Sequence, residues 1–268
     1  MNVIWFSGMP RSGTNWVSQF FAASPQIRVK FCPLFSYKFK NSMSESDDKN
    51  SWRQFFNNVY ATPDEFMDQL YLSREGLLPV FNDKENTPST LLIKSNRFHN
   101  LSYKVMKKIP EMKMVGIVRD PVAAIGSWLN NPIEFPADAN PIEEWRTGAC
   151  RKTGPEEYWG FNDWMEVTRL YMQMEKEFSE RFMLVRYEEI VGNPHRIARE
   201  IFEKMDLKYT QHVDDFIDSS MSTHVEHPRS VFRKNHDVKK WGKSLSKDIV
   251  NNIYKEIRGT SLERFIYE

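Results

Sequence analysis

Cysteine is almost missing from this chain: Cys32 and Cys150 are the two in 268 residues. They stand apart, without a C-x-x-C pair or a histidine at ligand spacing, which argues against a disulfide framework and against a zinc site. A reducing compartment is therefore expected, with a cytoplasmic protein as the simplest reading. Long apolar runs are missing as well, and none approaches the roughly 18 residues needed to span a bilayer. The first apolar run, residues 3–6, has a strand's length and no basic region before it, so no secretory leader is expected. The sequon at Asn100 is accordingly read as incidental. An excess of one charge is also lacking, and a net +1 sets aside nonspecific nucleic-acid binding.

What the chain does have is 40% apolar and 14% aromatic residues, sufficient for a sizeable core. Short apolar runs at 3–6, 91–93, 114–118 and 182–185 read as buried strands. Between them lie helical patterns. One covers 14–23 and stops before Ser24-Pro25. A second covers 62–76, with Thr62 as cap, Pro63 at the first position, Glu65 closing a capping box and Gly76 as stop. A third covers 161–178, and a fourth starts at Asn193-Pro194. The polar stretch 41–51 reads as a surface loop. Strands alternating with helices predict a three-layer α/β/α fold around a mostly parallel sheet. With no repeat and no linker, residues 1–268 read as one domain.

Three segments carry chemistry. The first is "SGMPRSGTNW", residues 7–16, directly after the first strand. Gly8 and Gly13 have the spacing of a phosphate-cradling loop, and the strand–loop–helix order aims backbone N–H groups and the helix dipole at an anion. The Walker lysine is absent, and Thr14 stands in its place. A cation is present instead inside the loop, as Arg11, whose planar fork suits phosphate or sulfate oxygens. The second segment is "VRDPVAAIGSW". Arg119 ends a strand and Ser127 falls in the second turn of the helix that Pro121 opens, so both are placed to face one anion. The third is "RSVFRKNHDVKKWGK", residues 229–243, with six Lys/Arg against one acid. Taken singly, these segments describe a tight turn, a capped helix and a solvated basic loop equally well.

Taken together they resemble the cytosolic-type sulfotransferases that use 3′-phosphoadenosine 5′-phosphosulfate (PAPS; product 3′-phosphoadenosine 5′-phosphate, PAP). "PRSGTNW" matches the family's "PxSGTxW" phosphosulfate loop, which assigns Arg11, Ser12, Gly13, Thr14, Asn15 and Trp16 to the donor. Arg119 and Ser127 match the 3′-phosphate pair. "FRKN", comprising Phe232, Arg233, Lys234 and Asn235, matches the C-terminal "RKG…W" element, with asparagine for glycine and Trp241 one residue further out. "RYEEIVGNP" resembles "YED…NP" and places Tyr187 near the adenine. The resemblance implies a P-loop-like fold, sulfuryl transfer to a hydroxyl or amine of a small molecule or sugar, and no metal.

Sulfuryl transfer is an in-line displacement served by positioning and electrostatics. Arg11 and the loop N–H groups are assigned to the leaving phosphate, and Lys94, which matches the family's "KTH" lysine, to the sulfuryl oxygens. Trp16 is read either as a stack for adenine or as a core anchor. The acceptor needs a base, yet the usual histidine position holds Asn96 and the usual glutamate region holds Cys32. His99 is the nearest replacement. An acid from residues 130–166 and an amine acceptor that arrives neutral are the other options. That same segment carries eight acids against three bases, interleaved with Phe135, Trp145, Tyr158, Trp159, Phe161 and Trp164. It reads as an acceptor-side insertion or as a solvated insertion whose aromatics dock on the core. The rival functions are a P-loop kinase or NTPase and a noncatalytic nucleotide-binding protein. The C-terminal "KSLSKDIVNNIYKE" does not reproduce the family's dimer-forming element, so oligomeric state stays open.

Overall fold

The computed structural model describes residues 1–234 and 245–267. The first half runs β1 (Asn2–Gly8), α1 (Thr14–Ala23), β2 (Ile27–Phe31), α2 (Lys49–Ala61), α3 (Leu70–Arg74), β3 (Thr90–Ser95) and α4 (His99–Lys108). It continues with β4 (Lys113–Val118), α5 (Pro121–Leu129), α6 (Pro141–Glu144), α7 (Gly160–Glu177) and β5 (Phe182–Arg186). The chain then forms α8 (Tyr187–Gly192), α9 (Pro194–Lys204), α10 (Gln211–Ser222) and α11 (Lys247–Ile257). The strands make one five-stranded sheet in the order β2-β3-β1-β4-β5, and every pairing is parallel.

Strand alternation divides the core into two layers. Trp5, Leu91, Ile93 and Met114 point to one face, where α2, α4, α5 and α7 supply Trp52, Val105, Trp128 and Trp164. Ile4, Phe6, Leu92, Val115 and Ile117 point to the other, against Phe20, Ile197, Phe202 and Ile217 of α1, α9 and α10. Both faces are apolar, as a parallel sheet covered by helices requires. Full burial of such side chains is worth roughly 1.5–3 kcal/mol each.

The four expected strands are present, and β2, "IRVKF", is an addition in which Arg28 and Lys30 interrupt the apolar run. The first helix begins and ends where expected. Its last turn is fastened by Lys84, whose ammonium donates to the carbonyls of Ala22, Ser24 and Ile27. The helix expected over 62–76 is not formed as such: residues 62–64 are irregular, 65–69 are turns, and a short helix occupies Leu70–Arg74. The reason is Asp64, whose Oδ1 accepts from the N–H groups of Phe66 and Met67 and closes a tight local turn in competition with the helix. The surface loop expected over 41–51 gives way to α2 at Lys49, capped by Asp48 Oδ1 on Ser51 N–H at 2.8 Å.

The strand order positions the site. The chain leaves β1 toward β2 and leaves β4 toward β5, so the connections diverge at the carboxyl ends of these neighbours and open a crevice there. Register places Phe6 beside Lys94, Gly8 beside Ile117, and Val118 beside Arg186. The loop after β1, Lys94, Arg119 and Tyr187 therefore emerge along one edge of the sheet.

Candidate active site

The loop after β1 is shaped by close backbone approach. A Cβ on Gly8 would lie 2.3 Å from Ile117 Cγ2, and one on Gly13 would lie 2.4 Å from the Tyr187 ring. Gly13 also sits at φ 84, in the left-handed region that glycine tolerates. It precedes α1, which starts without a side-chain cap. The first-turn N–H groups of this helix and its positive dipole end face the loop.

Arg11 is the centre of the cluster. Its Nε donates to Ser127 Oγ at 3.1 Å, and its Nη1 lies 3.4 Å from Glu134 Oε2. Arg119 Nη1 donates to the Arg11 carbonyl at 3.0 Å, and its guanidinium lies 4.7 Å from the Tyr187 ring centroid. Burial holds the Arg11 guanidinium below the ordinary arginine range; Glu134 opposes that shift, and Arg119 and Arg233 add to it. Arg11, Arg119 and Arg233 also act together on the Tyr187 hydroxyl, whose pKa burial raises. The acids next to Arg119 face elsewhere: Asp120 caps α5 through Ala123 N–H at 2.7 Å, and Glu188 accepts from Asp120 N–H at 2.9 Å.

Ser12 Oγ and Arg119 Nε, both in this cluster, are among the buried polar atoms that have no hydrogen-bond partner among the described residues. Leaving such atoms unmade costs about 1–3 kcal/mol each unless a ligand completes them. Both lie in segments aimed at an anion, and both are donors.

Lys94 closes the other side. It is buried at the end of β3, where its ammonium donates to Asn15 Oδ1 and lies 4.8 Å from the Phe31 ring centroid. Burial pushes its pKa down to about 7, with the Cys32 thiol opposing weakly. Beside it, Cys32 Sγ is 3.4 Å from Asn96 Oδ1, and burial pushes that thiol up, so it is no ready base.

Several expectations change here. His99 is sealed in the core rather than facing the crevice. Its Nδ1 meets Ser7 Oγ at 3.1 Å and Tyr171 Oη at 2.9 Å, and Tyr158 packs edge-on against its ring at 4.6 Å. Burial lowers its pKa to about 3, so it stays neutral and bridges β1, α4 and α7. Trp16 takes the core alternative: its Nε1 donates to Ser220 Oγ at 2.9 Å and its ring packs edge-on to Phe20. Tyr187 lies beneath Gly13 and Arg119. The aromatics of 130–166 are core residues, with Phe135, Trp145, Tyr158, Trp159, Phe161 and Trp164 all buried, so they form no aromatic wall.

Arg233 is brought to the cluster by backbone contacts, its N–H donating to Ser220 O at 2.9 Å and its Nη2 to His227 O at 2.7 Å. Phe232 is half-buried against α1 and α10's layer, and Lys234 is exposed. Asn235 and Trp241 lie outside the described residues. Two contacts escaped the sequence reading, Glu134 on Arg11 and Asn15 on Lys94. Nothing in local spacing flags either, because each joins segments far apart in the chain.

Comparison with known proteins bears on the fold. The model of the Sulfotransferase family matches residues 4–211. Among solved structures, mouse sulfotransferase SULT7A1 complexed with PAP superposes with a TM-score of 0.57 at 14% identity, over 98% of this chain and 87% of that one. The sulfotransferase domain from the curacin biosynthetic pathway gives 0.53 at 14% identity, over 97% and 98%. Retinol dehydratase in complex with retinol and PAP gives 0.52 at 11%, over 97% and 82%. At these identities the likeness is one of fold. No curated protein sequence matches the chain. With the family model covering most of the chain and the P-loop-like fold shared with sulfotransferases, this protein belongs to the sulfotransferase family.

Proposed function

We propose that the chain moves a sulfuryl group from PAPS to a hydroxyl or amine of a small-molecule or sugar acceptor by in-line displacement. The observation that carries this reading is the joining of Arg11, Ser127 and Arg119 over the uncapped start of α1, with Ser12 Oγ and Arg119 Nε buried and unpartnered. That set, rich in donors and carrying two arginines, fits a nucleotide with two anionic ends. PAPS supplies an activated sulfuryl group on a phosphate leaving group.

The chain's own residues would supply position and charge. Ser127 and Arg119 hold the 3′-phosphate end; Arg11 and the N–H groups of 12–14 hold the 5′ end and neutralise the negative charge that grows on the leaving oxygen. Lys94, which forms no ion pair among the described residues, offers its ammonium to the sulfuryl oxygens. With His99 sealed away, an acceptor that needs little deprotonation is favoured, and an amine arriving neutral fits this best.

Calorimetric titration with PAP and with ATP tests the donor, PAP binding alone being the expected result. A labelled-sulfate screen across amines, alcohols, phenols and sugars tests the reaction. Tight ATP binding without PAP binding overturns the reading.

A further inference from the structure

Glu134 is an acid placed against the cation that the donor needs. Its carboxylate is aimed by a fixed turn just after α5. Asn131, which is buried, accepts from Ile133 N–H at 3.0 Å through Oδ1 and donates from Nδ2 to Glu134 Oε2 at 3.1 Å. The Asn131 carbonyl accepts from the N–H groups of Glu134 at 3.0 Å and Phe135 at 2.8 Å, and the Phe135 ring docks edge-on to Trp128 at 5.3 Å. The same oxygen, Oε2, is the one 3.4 Å from Arg11 Nη1. The turn thus holds a carboxylate on the fork of Arg11 where a ligand oxyanion would bind.

We propose that Glu134 is a built-in counter-anion for Arg11, which the 5′ end of the donor nucleotide must displace to enter the loop. This rests on the reading of the loop as the donor site. The pair neutralises Arg11 in the free protein, where a buried guanidinium otherwise stands beside Arg119 and Arg233. A single inorganic anion has only the Arg11 contact to offer in exchange. A nucleotide with a second phosphate gains Arg119 and Ser127 as well, so the displacement selects for bis-anionic ligands over free sulfate.

The test is calorimetric titration of the full chain with PAP, and separately with inorganic sulfate, for the wild type, E134Q, E134D and the control E143Q. E143Q makes the same charge change at an exposed carboxylate of the same segment that bonds Asn140. The expected result is that E134Q binds PAP about fivefold more tightly, the scale of a part-exposed ion pair. E134D, with its charge kept at shorter reach, falls between, and E143Q matches the wild type. Sulfate binding also tightens in E134Q, and both gains shrink at high salt. A structural role for Glu134 would leave PAP affinity unchanged or weaken it. Wild-type binding of PAP with equal or weaker affinity in E134Q, or an equal gain in E143Q, overturns this inference alone. No PAP binding by any of the four overturns it together with the donor assignment.

Discussion

Arg11 Nε donates to Ser127 Oγ across 3.1 Å, tying the loop after β1 to the second turn of α5. In the free protein this bond and the Arg119 bond to the Arg11 carbonyl join the two anion-binding segments into one unit.

The two arginines should separate by kinetics. Arg11→Ala is expected to lower kcat by about 10²–10³, the effect of removing one preorganised donor at a developing negative charge. Arg119→Ala should chiefly raise the PAP dissociation constant, by about 10-fold or more for a charged hydrogen-bond partner. Labelled-sulfate kinetics and PAP titration read the two effects, and near-normal kcat/KM in both variants would remove these residues from the site.

His99 should behave as a core residue. Replacing it with phenylalanine leaves Tyr171 and Ser7 without their shared imidazole partner, at a cost of about 1–3 kcal/mol. Chemical denaturation should show that loss, while the pH profile of transfer by the folded variant keeps the wild-type shape. A profile that loses its acidic limb would restore His99 as a base.

Lys94 predicts a pH dependence of donor binding. Its pKa of about 7 in the free protein reflects burial, and a bound dianion favours the ammonium. PAP binding near pH 8 should take up a proton, visible as a buffer-dependent enthalpy, and affinity should fall as pH rises above about 7. Lys94→Met should abolish the proton uptake. The unfolded lysine keeps its proton up to the ordinary 10.5, so between about 7 and 10.5 the unfolded state binds more protons. This lysine accordingly makes folding stability rise with pH across that window, a slope measurable by denaturation and absent in Lys94→Met.

Gly13 should tolerate no side chain. Alanine there combines φ 84 with a Cβ 2.4 Å from the Tyr187 ring. A stability loss of about 1–3 kcal/mol is expected, with weakened PAP binding because the loop must move off Tyr187. Tyr187→Ala in the same chain should recover part of the stability, and its failure to do so would show that the dihedral alone sets the cost.

The sequence by itself determined the elements whose signals are local. Four apolar runs specified strands because a parallel sheet buries both faces, and Gly8, Gly13 and Thr14 specified the loop and the start of α1 because backbone conformation and steric approach depend on neighbours in the chain. The start of α5 at Pro121, which sets Ser127 in its second turn, followed from local signals in the same way. Where a competing local bond existed, as at Asp64, the pattern misled. Tertiary structure alone decided which polar groups face the crevice. His99 and Trp16 carry functional side chains at reasonable spacing, yet packing seals one between Ser7 and Tyr171 and the other against Ser220. Glu134 lies on Arg11, and Lys94 on Asn15, because the sheet order brings segments of distant sequence to one edge. Desolvation and long-range contact are properties of that arrangement, so the charge state of Lys94 and the partner of Arg11 could be fixed only by the fold.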